Sequence, residues 1–215
     1  MTALLSTAFF PNVQYMSKFL AGKVVIEKYE TYPKQTYRNR CNILSANGVL
    51  PLSVPVQKNY HTLIKDIRID YSEMWQRNHL IALKSAYKNS AFYDYYFYKF
   101  ERFFEKKETF LIDLNENVLQ ILFAVLKIDA DYSYTTDYIF DSTGYTDFRE
   151  SISPKPSKNR PDEAFVPKPY TQVFCDRFDF VPNLSILDLI FNVGPESKDL
   201  LASGVGGGYR LFEVV

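Results

Sequence analysis

Thr2-Ala3-Leu4-Leu5-Ser6-Thr7-Ala8-Phe9-Phe10-Pro11 and, a short helix later, Gly22-Lys23-Val24-Val25-Ile26 decide the fold. The first stretch is apolar and reads as a buried strand over residues 2–10. Pro11 opens a short helix and Gly22 ends it, the usual asymmetry of helix termini. Residues 23–29 then give a second strand. Strand, helix and strand in this order predict a parallel βαβ unit, so the chain is expected to be α/β, with a small mostly parallel sheet. The apolar start is no signal peptide, because no Lys or Arg precedes it and Pro11 cuts it short. It is also far from the ~20 apolar residues of a membrane span.

Further along, residues 35–44 read as a strand, Asn47-Gly48 as a hairpin turn and residues 50–56 as the return strand. Pro51 and Pro55 place that return strand at an edge. Residues 64–69 alternate apolar and charged, as a half-buried strand does. Ser72 is positioned to cap a helix through Tyr87, with Trp75, His79, Ala82, Leu83 and Ala86 on one stripe. Phe92, Tyr96, Phe100 and Phe103 mark a second helix. Leu114, Val118, Ile121, Leu122 and Val125 mark a third, starting at Asp113 or Asn115. Residues 132–140 read as another strand. From 151 to 169, five prolines among charged and polar residues predict an exposed irregular loop.

Near the end, Val181-Pro182-Asn183-Leu184-Ser185-Ile186-Leu187-Asp188-Leu189-Ile190-Phe191-Asn192-Val193-Gly194-Pro195 reads as a punctuated helix. Ser185 and Asp188 have capping-box spacing, and Gly194-Pro195 forms the stop. The helix is apolar nearly all round, yet Ser185, Asp188 and Asn192 share a face, so these polar groups need partners. One domain over 1–203 is expected, followed by a flexible Gly-rich tail over 204–215.

With 25 basic and 25 acidic residues, no global field attracts nucleic acid or an anionic membrane. Two cysteines, Cys41 and Cys175, are too few for a disulfide framework and fit a cytoplasmic protein. Aromatic content is the outlier, with 18 Phe and 17 Tyr, read chiefly as core.

Several blocks together resemble the WbqC-like family of bacterial proteins. They are Pro11 with Tyr15, Asn39-Arg40 before the hairpin turn, Leu52-Ser53-Val54-Pro55-Val56, Trp75 with His79, and the helix block at 181–196. The resemblance implies a role in making or decorating surface polysaccharides such as O-antigen or capsule. Two departures accompany it. Many relatives carry His-Gln-Pro where this chain has Leu5-Ser6-Thr7. Many also carry a Ser-Gly-Pro-Gly-like turn where it has Ser142-Thr143-Gly144-Tyr145 and the proline-rich segment.

As site residues the sequence offers His79 and Asp188 for proton transfer. Tyr15, Arg38, Asn39, Arg40, Trp75, Asn183, Ser185 and Asn192 are offered for ligand contact. On a strand, Arg38 and Arg40 would share a face and could grip a phosphate or carboxylate. The bland alternatives are a solvated edge for the arginines, a satisfied core histidine for His79, and helix-pinning bonds for Asp188 and Asn192. His61, Lys58 and Lys65 read as surface. The blocks are expected to converge so that Arg40, His79 and Asp188 share one site.

No phosphate loop, nucleophile elbow or metal pair is present, so no cofactor or metal is expected. The expected partner is a small anionic substrate, a sugar nucleotide or acyl donor, with a homodimer as a further option and neither nucleic acid nor a membrane span. The expected function is an enzyme of glycan assembly, a transferase acting on a sugar nucleotide or an acyl or amino donor. The alternative is a non-catalytic module that recognises a glycan precursor or a partner enzyme, and a structural interaction protein is the third reading.

Overall fold

A computed structural model describes residues 2–57, 61–158, 160 and 162–205. Strand β1 (Thr2–Ser6), helix α1 (Val13–Ala21) and strand β2 (Val24–Glu27) form the parallel βαβ opening. Strands β7 (Tyr132–Tyr134) and β8 (Tyr145–Asp147) join them in an all-parallel sheet of order β7-β2-β1-β8. Two antiparallel pairs stand apart from it. One is the hairpin of β3 (Arg40–Ser45) and β4 (Gly48–Ser53), the other β5 (Val56–Gln57) with β6 (Arg68–Ile69). Helices α2 (Trp75–Tyr87), α3 (Tyr93–Phe104), α4 (Leu111–Leu126), α5 (Ile186–Val193) and α6 (Ser197–Ser203) complete the α/β architecture.

The sheet has two unlike faces. Ala3, Leu5, Val24, Ile26, Tyr132 and Tyr134 point into the main core. There Phe19 of α1 meets Phe123 of α4 at 5.0 Å and Tyr132 at 6.0 Å. No helix lies between β7 at one edge and β8 at the other. The connection from Thr135 to Gly144 joins them across the sheet. Its midpoint is pinned where the Ile139 N–H donates to Glu27 Oε2 at 3.0 Å. This run explains one difference from the sequence reading: β7 stops at Tyr134, because the residues after it leave the strand direction.

Other boundaries shift for local reasons. β1 ends at Ser6, since Phe10 takes a left-handed φ of 38° and turns the chain into α1. The side chain of Asn12 caps that helix by accepting from the Tyr15 N–H. Residues 35–39 are a turn, and the strand starts only at Arg40. Residues 64–66 form a 3-10 turn, which leaves β6 two residues long. Ser72 does not cap α2: it lies in the bend before Met74, and its N–H goes to Asp70 Oδ1 at 2.9 Å. α4 begins at Leu111, earlier than Asp113 or Asn115, with Phe110 as its first flanking residue.

The helix at 186–193 forms where its punctuation placed it, and Gly194 follows at φ 66°. A Cβ on Gly194 would lie 2.4 Å from the Phe92 ring, so only glycine fits this turn. The expected capping box does not close. Ser185 offers only a long 3.4 Å acceptor to the Leu187 N–H and instead donates to the Phe10 carbonyl at 2.9 Å. This segment docks on the β1–α1 connection: the Val13 N–H donates to Leu184 O and the Ile186 N–H to Pro11 O. The proline-rich stretch is irregular as expected. Of the expected tail, 206–215 lies outside the described residues, while Val205 bridges Phe165 and Gly204 O accepts from the Val166 N–H. Among the described residues no helix is long and apolar enough to cross a membrane.

Candidate functional site

In an open parallel sheet, ligands bind beyond the carboxyl ends of the strands, where the strand order reverses. Here that point lies between β1 and β8, because the chain runs from β1 to β2 on one side and reaches β8 on the other only after β7. A crevice occupies this place, lined by Ser6, Thr7, Tyr15, Tyr37, Arg38 and Arg149 among others. It is narrow, about 10 Å³, room for one water.

The crevice walls are charged and ordered. Arg38 lies buried, with Nε at 2.7 Å and Nη2 at 2.5 Å from the Glu30 carboxylate and Nη2 at 2.5 Å from Ser6 Oγ. Arg149 reaches the Asp147 carboxylate through Nε and Nη2, while its Nη1 donates to Ile139 O at 2.8 Å and lies 3.4 Å from Glu27 Oε2. Burial alone would raise the Asp147 pKa, but the Arg149 bonds prevail and hold it below the usual carboxylate value. Glu27, fully buried at the end of β2, also accepts from Thr135 Oγ1 at 2.9 Å and from the Tyr29 N–H at 2.8 Å. The Tyr15 hydroxyl donates to Ser6 O at 2.8 Å, and burial pushes its pKa far up. Asn115, buried on α4, donates to Thr7 Oγ1 at 3.0 Å and to Arg38 O at 2.8 Å, and its own Oδ1 has no protein partner. Three carboxylates, Glu27, Glu30 and Asp147, thus surround two guanidinium groups, and Glu150 adds a solvent-open carboxylate 4.0 Å from Arg38.

The residues named from the sequence fall into separate places. Tyr15 and Arg38 belong to the crevice. Arg38 and Arg40 do not share a strand face, because Arg38 precedes β3. Asn39 closes the base of the hairpin by donating to Val54 O at 2.8 Å, and Arg40 Nε donates to Ser53 Oγ at 3.1 Å. His79 is buried among Phe9, Trp75 and Phe104, bonded to the Ser53 backbone and with Nδ1 unpaired. Burial lowers its pKa to about 4. Trp75 is equally buried, and its indole N–H has no partner either.

Asp188 is the most heavily bonded of the set. It accepts from Tyr170 at 2.8 Å, Gln172 at 2.9 Å and Tyr87 at 3.0 Å. Burial raises its pKa against the pull of these bonds. Asn192 donates to Asp188 O, a bond within the helix. Asn183 stands in a left-handed turn at φ 57° and holds Gln14 at both ends, accepting from its N–H at 2.9 Å and donating to its Oε1 at 3.1 Å. Two of the three residues expected to share one site come together at a common partner. Arg40 and His79 meet at Ser53, whereas Asp188 is held by Tyr87, about 12 Å along α2 from His79 by helical rise. Lys58 lies outside the described residues, His61 is exposed, and Lys65 pairs with Asp66 at 2.7 Å.

Glu27, Glu30, Asn115 and Arg149 went unnoticed in the sequence. Each is a single charged or amide residue with no motif around it, and only Glu27, closing an apolar strand, carries a local signal. Among the described residues no group of three or more His, Cys, Asp or Glu is placed to hold a metal ion.

The profile of the WbqC-like protein family matches residues 7–152. The chain belongs to the WbqC-like protein family. It is also 28% identical to the uncharacterised protein Rv1507c of Mycobacterium tuberculosis, over 79% of this chain and 83% of that protein. No solved structure gives a significant match. The matched span runs from Thr7 to Ile152, both of which line the crevice. Leu5 and Ser6, just before the matched span, line the crevice as well.

Proposed function

We propose that this WbqC-like protein serves bacterial surface-polysaccharide assembly, in the cytoplasm, by binding the sugar part of a glycan precursor in the crevice between β1 and β8. One observation carries the reading: guanidinium groups, hydroxyls and aromatic rings line a crevice at the strand-order reversal of a parallel sheet, with carboxylates bonded to the guanidinium groups. A sugar hydroxyl both donates and accepts, so it can use a protein hydroxyl and a guanidinium side by side. Tyr37 and Phe148 supply ring faces for its C–H edges. The surplus of carboxylate over guanidinium favours hydroxyls over a bare anion at this point. A hexose needs more room than one water, so binding involves an outward shift of the segment carrying Phe148, Arg149 and Ile152.

Recognition is favoured over transfer because His79 and Asp188 are committed to the core. Transfer from a sugar nucleotide is the second reading, and Glu150 is the group it would use. Glu150 is the carboxylate beside Arg38 that remains open to solvent, with 63% of its side chain exposed.

The test is a thermal-shift panel of nucleotide sugars, free nucleotides, monosaccharides and acyl-CoA. The expected result is a rise in Tm with sugar-bearing members only, abolished by Ser6→Leu, which fills the crevice, and kept in Arg40→Ala. Response to acyl-CoA alone, or binding that tolerates Ser6→Leu but not Arg40→Ala, would sink the crevice reading. Turnover of a sugar nucleotide that stops in Glu150→Gln would move the assignment to the transferase.

A further inference from the structure

Beside the crevice, a second cluster is built like a ligand site. Lys18, on the second turn of α1, is 4% exposed, and its ammonium lies 4.4 Å from the centre of the Phe148 ring. Its partner is Asp162, at 2.5 Å between Nζ and Oδ2. The same oxygen accepts from Gln14 Nε2 at 2.8 Å.

Burying an ion pair seldom adds net stability, since an apolar pair of the same volume does as well or better. A buried lysine on a short helix therefore asks for a reason. Two features set this pair apart from structural ones. The donors are held independently of Asp162: Asn183, in its left-handed turn, fixes Gln14 by both backbone and side chain, and the Phe148 ring backs the ammonium. The acceptor arrives from elsewhere. Asp162 belongs to the irregular segment, where Pro156, Ser157, Lys158, Arg160 and Glu163 are all exposed. One carboxylate reaches in from an exposed stretch to fill a position shaped by other elements.

We infer that Lys18 and Gln14 form a binding cradle for the oxyanion of a ligand, a carboxylate or phosphate group, and that Asp162 is its internal occupant. An ammonium and an amide N–H converging on one oxygen suit either anion. A cradle oriented in advance loses little freedom when an external oxyanion replaces Asp162. Phe148 both backs Lys18 and lines the crevice, so a ligand with its sugar in the crevice can place an attached acidic group here. The cradle rests on its own contacts and does not require the crevice to take a sugar.

The experiment empties the cradle and refills it. Asp162→Ala is melted in sodium phosphate, sodium acetate and sodium chloride of equal ionic strength, beside wild type and Lys18→Met/Asp162→Ala. The expected result is a Tm rise of about 5 °C or more over chloride for Asp162→Ala near saturation, a smaller rise for wild type and none for the double variant. Rescue by phosphate alone identifies a phosphate ester or diphosphate ligand; rescue by acetate identifies a carboxylate. No rescue by either anion overturns the inference, as does equal rescue of the double variant. If Asp162→Ala is unfolded in chloride, refolding in phosphate or acetate must recover it, and failure in both counts against the cradle. Sugar binding by the Ser6→Leu protein is a separate readout, so failure of the crevice and failure of the cradle can be told apart.

Discussion

The buried charged network around Asp188 on α5 contrasts with the one around Arg38 at the β1–β8 crevice. Around Asp188, two tyrosine hydroxyls and a glutamine amide close on the carboxylate, and the helix it belongs to is buried. Around Arg38 the partners are as close, but the network opens on a crevice, carries a carboxylate surplus and lies at the carboxyl ends of the strands. The Asp188 carboxyl has a raised pKa and sits in the most characteristic block of the sequence, yet Tyr87, Tyr170 and Gln172 already donate to it and it is 1% exposed. A perturbed titration marks buried charge; an opening next to it is what marks a site.

The largest effect should come from breaking the sealed network. Asp188→Ala leaves the Tyr87 and Tyr170 hydroxyls facing a void, at an expected cost of about 4 kcal/mol in urea unfolding. A loss under about 1 kcal/mol would mean that α5 is pinned by something else. Gly194→Ala, which keeps all polar groups but drives a methyl into Phe92 at positive φ, should cost about 3 kcal/mol. A neutral result would show that Phe92 can turn aside.

His79 gives a pH-dependent version of the same test. Its folded pKa of about 4 is below the unfolded 6.5. The unfolded chain therefore binds more protons between these values, and stability present above pH 6.5 is lost as pH falls towards 4. The loss amounts to about 3 kcal/mol in all. In His79→Gln, whose amide can still donate to Ser53, the slope over this window should flatten. An unchanged slope would assign it to the carboxylates.

The open network should respond in binding more than in stability. Ser6→Leu is expected to cost about 1 to 2 kcal/mol, yet to abolish any response to sugars. Arg40→Ala, at the hairpin base, should cost about 0.5 kcal/mol and leave binding intact. Loss of binding in Arg40→Ala with Ser6→Leu unaffected would reverse the ranking of the two places.

Much of this organisation was legible in the chain itself. The apolar runs around Leu4 and Val24, with Pro11 and Gly22 between them, determined a parallel βαβ unit through periodicity and helix punctuation. Asn47-Gly48 determined the hairpin, and Gly194-Pro195 the end of α5, because few residues tolerate those backbone angles. The family blocks from Pro11 to His79 were legible too, since they are local strings, whereas the block at 181–196 lies outside the matched span of 7–152. What lay beyond the sequence depends on residues distant along the chain. That Arg38 turns to Glu30 and Ser6 follows from a turn at 35–39 that alternation could not foresee. β8 has no visible signal, because Tyr145–Asp147 is too short for a period and is a strand only through its register with β1. The pairing of Lys18 with Asp162 joins positions 144 residues apart. Backbone preference acts over a few residues, so sequence alone determined the elements and their ends. Burial and charge pairing depend on which surfaces meet, and only the tertiary structure decided which polar residues are sealed in the core and which face an opening.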